Sequence, residues 1–220
     1  MAPFLLFALV FASNVMSGFN TPLPPAVYGD QVSILSIDGG GIRGIIPATV
    51  LDYLDKALKA KDPTTSLAHY FDVISGTSTG GLMTAMLAAP NSSDTNRPLF
   101  TPSEVVQFYK QYGPDIFNST KPNQCPKYDG KFLQNITSEI LKETRLSQTL
   151  TNVVIPSFDE RKLMPIKTYP YLNAKLSDIC LGTSAAPTYL PPHQFSNDDV
   201  EFDLVDGALS ANNPVNITNL

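Results

Sequence analysis

The sequence has no tryptophan and only two histidines and two cysteines, Cys125 and Cys180. Two cysteines cannot build a disulfide framework, and so few histidines leave zinc without clustered ligands, so no metal is expected. A single disulfide and two buried free thiols both fit the count. No run of Lys or Arg occurs, and 15 basic side chains face 20 acidic ones, for a net charge of −5. That balance argues against nucleic acid as a partner, while a lipid surface could still be met through apolar loops. No Gly-Lys-Ser/Thr is present, which excludes a Walker-type phosphate loop. Internal repeats and low-complexity tracts are absent.

Charge is missing altogether from Met1 to Gly29, where Pro3 to Ala12 is almost wholly apolar. The stretch is too short to cross a bilayer and suits the apolar core of a signal peptide, although the usual basic start is lacking. Residues 1–20 are therefore expected to be a signal peptide or an N-terminal arm packed on the domain. The first reading implies the secretory pathway, vacuolar or extracellular; the second, a cytoplasmic protein with peripheral membrane contact. Sequons at Asn91, Asn118, Asn135 and Asn216 are compatible with secretion. The remainder, residues 30–220, is sufficiently hydrophobic for one globular unit with a substantial core.

What the chain does contain is a concentrated signal from Phe71 to Ala89, FDVISGTSTGGLMTAMLAA. A short apolar run leads into Gly76-Thr77-Ser78-Thr79-Gly80 and then into an Ala/Leu/Met segment suited to a helix. This is the G-x-S-x-G elbow, in which a sharp strand-to-helix turn holds a serine clear of the sheet. Side chains at Gly76 or Gly80 would collide with neighbouring backbone. The helix that begins after Ser78 directs unpaired amides toward negative charge developing there.

Upstream, Val32 to Asp38 alternates as a strand and enters Gly39-Gly40-Gly41-Ile42-Arg43-Gly44. A helix follows, with Pro47 in its first turn and Ile46, Val50, Leu51, Leu54 and Leu58 as its expected buried stripe. Strand, loop, helix and elbow strand make a β-α-β unit with parallel strands. Gly39, Gly41 and Gly44 formally match the dinucleotide fingerprint. Against it stand the Asp38 carboxylate, the lack of an acidic residue closing the second strand, and the serine elbow in its place. The loop reads better as an oxyanion hole, because consecutive glycines let N–H groups converge on one point.

Farther on, Thr101-Pro102-Ser103-Glu104 is a capping box that opens a helix to about Tyr112, which Gly113 can end. Lys131 to Thr144 reads as an amphipathic helix with Phe132, Ile136, Ile140 and Leu141 on one face. Val153–Ile155 and Leu163–Ile166 read as strands about a turn at Ser157 to Arg161, and Leu176 to Ala186 as a helix. Val200 to Val205 is a last strand that delivers Asp206-Gly207-Ala208 to the sheet edge.

A serine nucleophile needs a base, and no histidine follows Asp206. His69 precedes the elbow strand and so lies at its wrong end. His193, in the loop Pro191-Pro192-His193-Gln194, could approach only by loop folding. Asp206, at a strand end before a glycine, is placed to hold Ser78 directly.

The combination of DGGGIRG (Asp38 to Gly44), GTSTG (Gly76 to Gly80) and DGA (Asp206 to Ala208), in that order, resembles the patatin family of lipid acyl hydrolases. TSAAPTYLPPH (Thr183 to His193) and ANNP (Ala211 to Pro214) resemble plant patatins. The resemblance covers about Val32 to Leu220. It implies a three-layer α/β/α fold with a mainly parallel central sheet, no cofactor, and calcium-independent release of fatty acids from the phospholipids and galactolipids of membranes. By position it makes Ser78 the nucleophile, Asp206 the base and Gly39, Gly40 and Gly41 the oxyanion donors, with Arg43 assisting. Storage and lipid-binding proteins of low turnover also occur in the family and form the alternative. Family members continue well beyond the aspartate, so the final part of the fold is expected to lie outside this chain.

Overall fold

The computed structural model describes residues 9–12, 32–118, 125–160 and 173–218, the first of these segments by its backbone alone. The strand expected at Leu163–Ile166 and most of the 1–20 segment lie outside the described residues.

Three strands set the frame. β2 (Ile34–Ile37) pairs in parallel with β3 (Val73–Gly76), and β3 in parallel with β4 (Asn152–Asp159). Between β2 and β3 run a 3₁₀ turn (Gly41–Gly44), α1 (Ile45–Lys59) and α2 (Leu67–Tyr70); after β3 come α3 (Thr79–Ala88), α4 (Pro102–Ile116) and α5 (Lys131–Leu141). Beyond β4 follow α6 (Leu176–Ser184), β5 (His193–Asn197), β6 (Val200–Asp206) and the short α7 (Ala208–Ala211) and α8 (Val215–Thr218). The order across the sheet is β2-β3-β4-β6-β5, and β1 (Leu9–Ala12) pairs antiparallel with β4. Helices flank this mixed sheet in a three-layer α/β/α arrangement.

β4 determines where the last strand can end. Its eight residues run past the end of β3, and β6 pairs back antiparallel along that overhang, with Asp206 opposite Ser157 and Leu204 opposite Asp159. The expected turn from Ser157 is thus strand through Asp159, and Pro156 is accommodated within it. Because β6 runs the other way, its C-terminal end returns to the level at which β3 stops.

α3 is the central helix. All ten of its residues are buried, as a segment apolar on every side requires. It packs on β2, β3 and β4 and against α6, where Met83, Met86, Leu87, Ile155, Leu176 and Ile179 form the core. α7 packs against β4, and α8 against β2 and β3.

Two helices differ from expectation. α4 begins at the anticipated capping box, with Glu104 N–H donating to Thr101 Oγ1 at 3.3 Å and Thr101 N–H donating to Glu104 Oε2 at 2.7 Å. It does not stop at Gly113 but continues through Pro114 to Ile116, because Gly113 is buried beneath Ile42 and Ile116 reaches the core. In α1 the buried positions are Ala48, Leu51 and Asp55, with Leu54 and Leu58 half-buried, while Ile46 and Val50 are each 62% exposed. Apolar residues lie around more than half of this helix, so periodicity alone selects no unique face. Packing on α4 selects it. Both cysteines are unpaired, Cys125 exposed and Cys180 buried.

Candidate active site

Ser78 stands between the end of β3 and the first turn of α3 with φ 55° and ψ −123°. A side chain in that region is strained, and the strain persists only because the surroundings hold it. The two elbow glycines are part of that hold. A Cβ on Gly76 would lie 2.1 Å from the Gly80 carbonyl oxygen, and one on Gly80 would lie 2.2 Å from that of Ile37. The backbone collisions expected at both glycines are found, and through Gly80 the elbow nests directly on the end of β2.

Thr183, on α6, supplies another part of the hold. Its Oγ1 accepts the Ser78 backbone N–H at 3.0 Å and donates to the Pro156 carbonyl at 2.6 Å. Tyr109 on α4 reaches the first residue of α3, its hydroxyl paired with Thr79 Oγ1 and donating to the Thr79 carbonyl at 3.1 Å. Burial pushes the Tyr109 phenol well above its ordinary range, so it remains a neutral donor.

Asp206 closes β6 and is almost fully buried. Its backbone N–H donates to the Ala185 carbonyl at 3.0 Å, and its Oδ1 accepts the Ala208 N–H at 2.8 Å. Burial raises its carboxyl above the usual carboxylate range; the Ala208 N–H and then the nearby Ser78 hydroxyl act in the opposite direction. The structure thus brings together Ser78 and Asp206, which are 128 positions apart in the chain.

Neither histidine joins them. His69 lies on α2, before β3, with Nδ1 2.8 Å from Ser66 Oγ. His193 begins edge strand β5 rather than a loop, opposite Leu204, with its Nε2 2.9 Å from Asp178 Oδ1 and its ring stacked on Phe195.

The glycine loop follows the end of β2. Gly39, expected as an oxyanion donor, has its N–H committed to the Asn212 carbonyl at 3.1 Å. Gly40 and Gly41 make no backbone N–H bond among the described residues. The Gly40 carbonyl accepts the Arg43 backbone N–H at 3.2 Å and Arg43 Nε–H at 3.4 Å. A trans peptide sets its C=O and N–H in opposite directions, so fixing this carbonyl also fixes where the Gly41 N–H points. Arg43 itself is exposed, and its observed contact is with the loop backbone.

The segment after Asp206 ties these parts to one another. Thr77 Oγ1 donates to the Ala211 carbonyl at 2.7 Å, one residue before the Asn212 carbonyl that holds Gly39. The sequence gives no periodic or compositional sign of this clamp or of the Thr183 bridge. Both lie in strings, TSAAP and ANNP, that are informative only through their resemblance to plant patatins.

A family model described as "Patatin-like phospholipase" matches residues 35–218. Patatin-like protein 1 of Arabidopsis thaliana is 51% identical over 214 residues, covering 86% of this chain and 51% of the relative. Patatin-like protein 4 of the same plant is 52% identical over 209 residues, again 86% of this chain and 52% of the relative. Patatin-17 of Solanum cardiophyllum is 47% identical over 221 residues, 94% of this chain and 55% of its own length. The chain spans about half the length of these curated relatives. With the elbow, the glycine loop and the strand-end aspartate each lying inside the matched region, the chain belongs to the patatin-like phospholipase family.

Proposed function

We propose that this chain is a lipid acyl hydrolase that works through a Ser78–Asp206 dyad. The observation that carries the reading is the strained Ser78 beside a buried carboxylate, with both histidines engaged elsewhere.

In the proposed cycle, the Ser78 hydroxyl attacks the ester carbonyl carbon of a membrane lipid and gives its proton to Asp206. The carbonyl oxygen takes the negative charge of the tetrahedral adduct and is received by the Gly40 and Gly41 N–H groups, near the N-terminal end of α3. Arg43 acts by holding the Gly40 carbonyl away. Collapse of the adduct breaks the carbon–oxygen bond, and the proton on Asp206 passes to the departing alcohol. The acyl group remains on Ser78. Water then gives a proton to Asp206 and attacks the acyl-enzyme, and return of the proton to Ser78 releases the fatty acid. Burial suits Asp206 to this exchange, since a carboxylate with raised affinity for protons is a better base than an exposed one. Phospholipids and galactolipids are the proposed substrates.

The test is hydrolysis of a soluble short-chain ester together with labelling by a fluorophosphonate. Ser78→Ala should lose both while keeping its far-UV circular dichroism. Turnover equal to wild type, or labelling confined to a different serine, would overturn the assignment.

A further inference from the structure

β4 and β6 meet beyond the end of β3, and their register sets Ser157 directly opposite Asp206. Residues opposite one another in an antiparallel pair share a face of the sheet, with Cβ atoms about 4.5–5.5 Å apart. Here that face is the one under α3 and α6. Two residues back on each strand, Ile155 lies against Gly81 of α3 and Leu204 against Gly182 of α6, and side chains alternate along a strand. Ser157 and Asp206 therefore point into the layer from which Thr183 holds the Ser78 N–H.

Both side chains are buried, that of Ser157 completely. The Ser157 hydroxyl has no hydrogen-bond partner among the described residues, a condition that is rare for a buried polar group. Ser36 shares it but stands opposite Ser75, whereas Ser157 stands opposite a carboxyl group. Thr183 has its own proton committed to the Pro156 carbonyl. An ionised carboxylate offers about four acceptor positions. At Asp206 the Ala208 N–H fills one on Oδ1, and the Ser78 hydroxyl is the other donor acting on the group. Acceptor capacity is left over, and a serine hydroxyl reaches it by changing between staggered χ1 positions.

No cation takes that place among the described residues. β3, α3 and α7 carry no titratable side chain. α6 brings Asp178, bound to His193, and Cys180, whose thiol burial pushes well above its ordinary range. On β4, Asp159 lies on the same face, level with Leu204; on β6, Glu201 and Asp203 alternate to the other face, where Asp203 accepts from Gln194. Asp38 and Arg43 of the glycine loop are exposed.

We propose that Ser157 is a positioning residue for Asp206, its hydroxyl donating to the carboxylate whenever Asp206 is ionised. The bond favours the ionised form, which burial disfavours. Its use in catalysis rests on the Ser78–Asp206 reading, but the contact itself does not.

The test uses Ser157→Ala, which removes the hydroxyl and little else. The acid limb of its rate on a soluble short-chain ester should move upward by about one pH unit, the effect of one hydrogen bond to a charged group. A purely structural role would lower the plateau and leave the limb in place, and that outcome overturns the proposal. The second measurement needs no turnover. Removing a donor to the ionised form raises the folded carboxyl further, so Ser157→Ala should lose stability relative to wild type as pH rises through the folded Asp206 value, and not below it. In the Asp206→Asn background, the effect of the same substitution on the urea midpoint should not change with pH, as a double-mutant cycle requires of a pairwise contact. A stability difference that ignores pH when Asp206 is present overturns the proposal, and so does one that follows pH equally in both backgrounds. If Asp206→Asn remained an active esterase, the dyad reading would fail while these midpoints still decided the contact.

Discussion

Asp206 is kept where water cannot solvate its charge, and this has opposite consequences for stability and activity. Its folded carboxyl is raised above the unfolded value of about 3.9, so the folded state binds its proton more tightly. The stabilising contribution is fully present below the unfolded value and is lost as pH rises through the folded one. At neutral pH the buried charge is therefore a cost. Asp206→Asn removes the charge while retaining an oxygen for the Ala208 N–H. The variant should melt above wild type at pH 7, the difference disappearing on acidification below the ordinary carboxylate range, and should hydrolyse no ester. If Asp206 is the base of the proposed dyad, the wild-type rate should fall on the acid side at a pH above that range, since a protonated carboxyl cannot accept the Ser78 proton. His69→Ala and His193→Ala should keep this profile. A rate that depended on either imidazole would replace the dyad with a triad. A second residue-scale outcome concerns Gly80. With the Ile37 carbonyl 2.2 Å from the position of an added Cβ, Gly80→Ala must displace backbone and should cost about 3 kcal/mol in urea denaturation.

The elements differ in how much of them local sequence determines. β2, β3, α3 and β6 are short or uniformly apolar segments bounded by glycine or aspartate, and the structure places each within a few residues of expectation. The elbow is legible from its G-x-S-x-G string, in which Gly76 answers a local demand from the Gly80 carbonyl, although Gly80 answers one from Ile37 on β2. α1 was not fully legible: its choice of buried face depends on α4, which lies forty or more residues away. Nor was the fate of the Gly39 N–H, because Asn212 meets it only in the finished fold. His193 illustrates the same limit, for its proline-rich lead-in reads as loop although the edge of β6 recruits it as strand. Thr183 is the least visible and the most testable of these long-range contributions. Thr183→Val preserves shape but deprives the Ser78 N–H of its acceptor and the Pro156 carbonyl of its donor. Leaving a buried backbone group unpaired costs about 1–3 kcal/mol. The variant should also lower kcat more than it raises KM, because it loosens Ser78, the proposed nucleophile, and leaves the exposed surface as it was. A change confined to KM would show that Thr183 acts on binding instead.

Across the whole molecule, the site exists only when distant parts of the chain are folded together. Ser78 sits at the junction of β3 and α3, its N–H is held from α6, and Asp206 arrives on β6. β6 in turn depends on the overhang of β4, and the turn after it reaches back to Thr77 and Gly39 through Ala211 and Asn212. No contiguous fragment carrying Ser78 without residues 183–212 can assemble this arrangement. Loss of activity and loss of structure should therefore be one event in the 220-residue chain. In a urea titration, the rate on a soluble ester, far-UV circular dichroism and tyrosine fluorescence should share a midpoint, as coincident probes do in a cooperative transition. Because α7 and α8 are short and bury none of their residues, they are the helices with least packing of their own. If the rate fell at a lower urea concentration than the helical signal, the segment after Asp206 would be opening first, and the clamp on Thr77 and Gly39 would be a separable unit rather than part of the core.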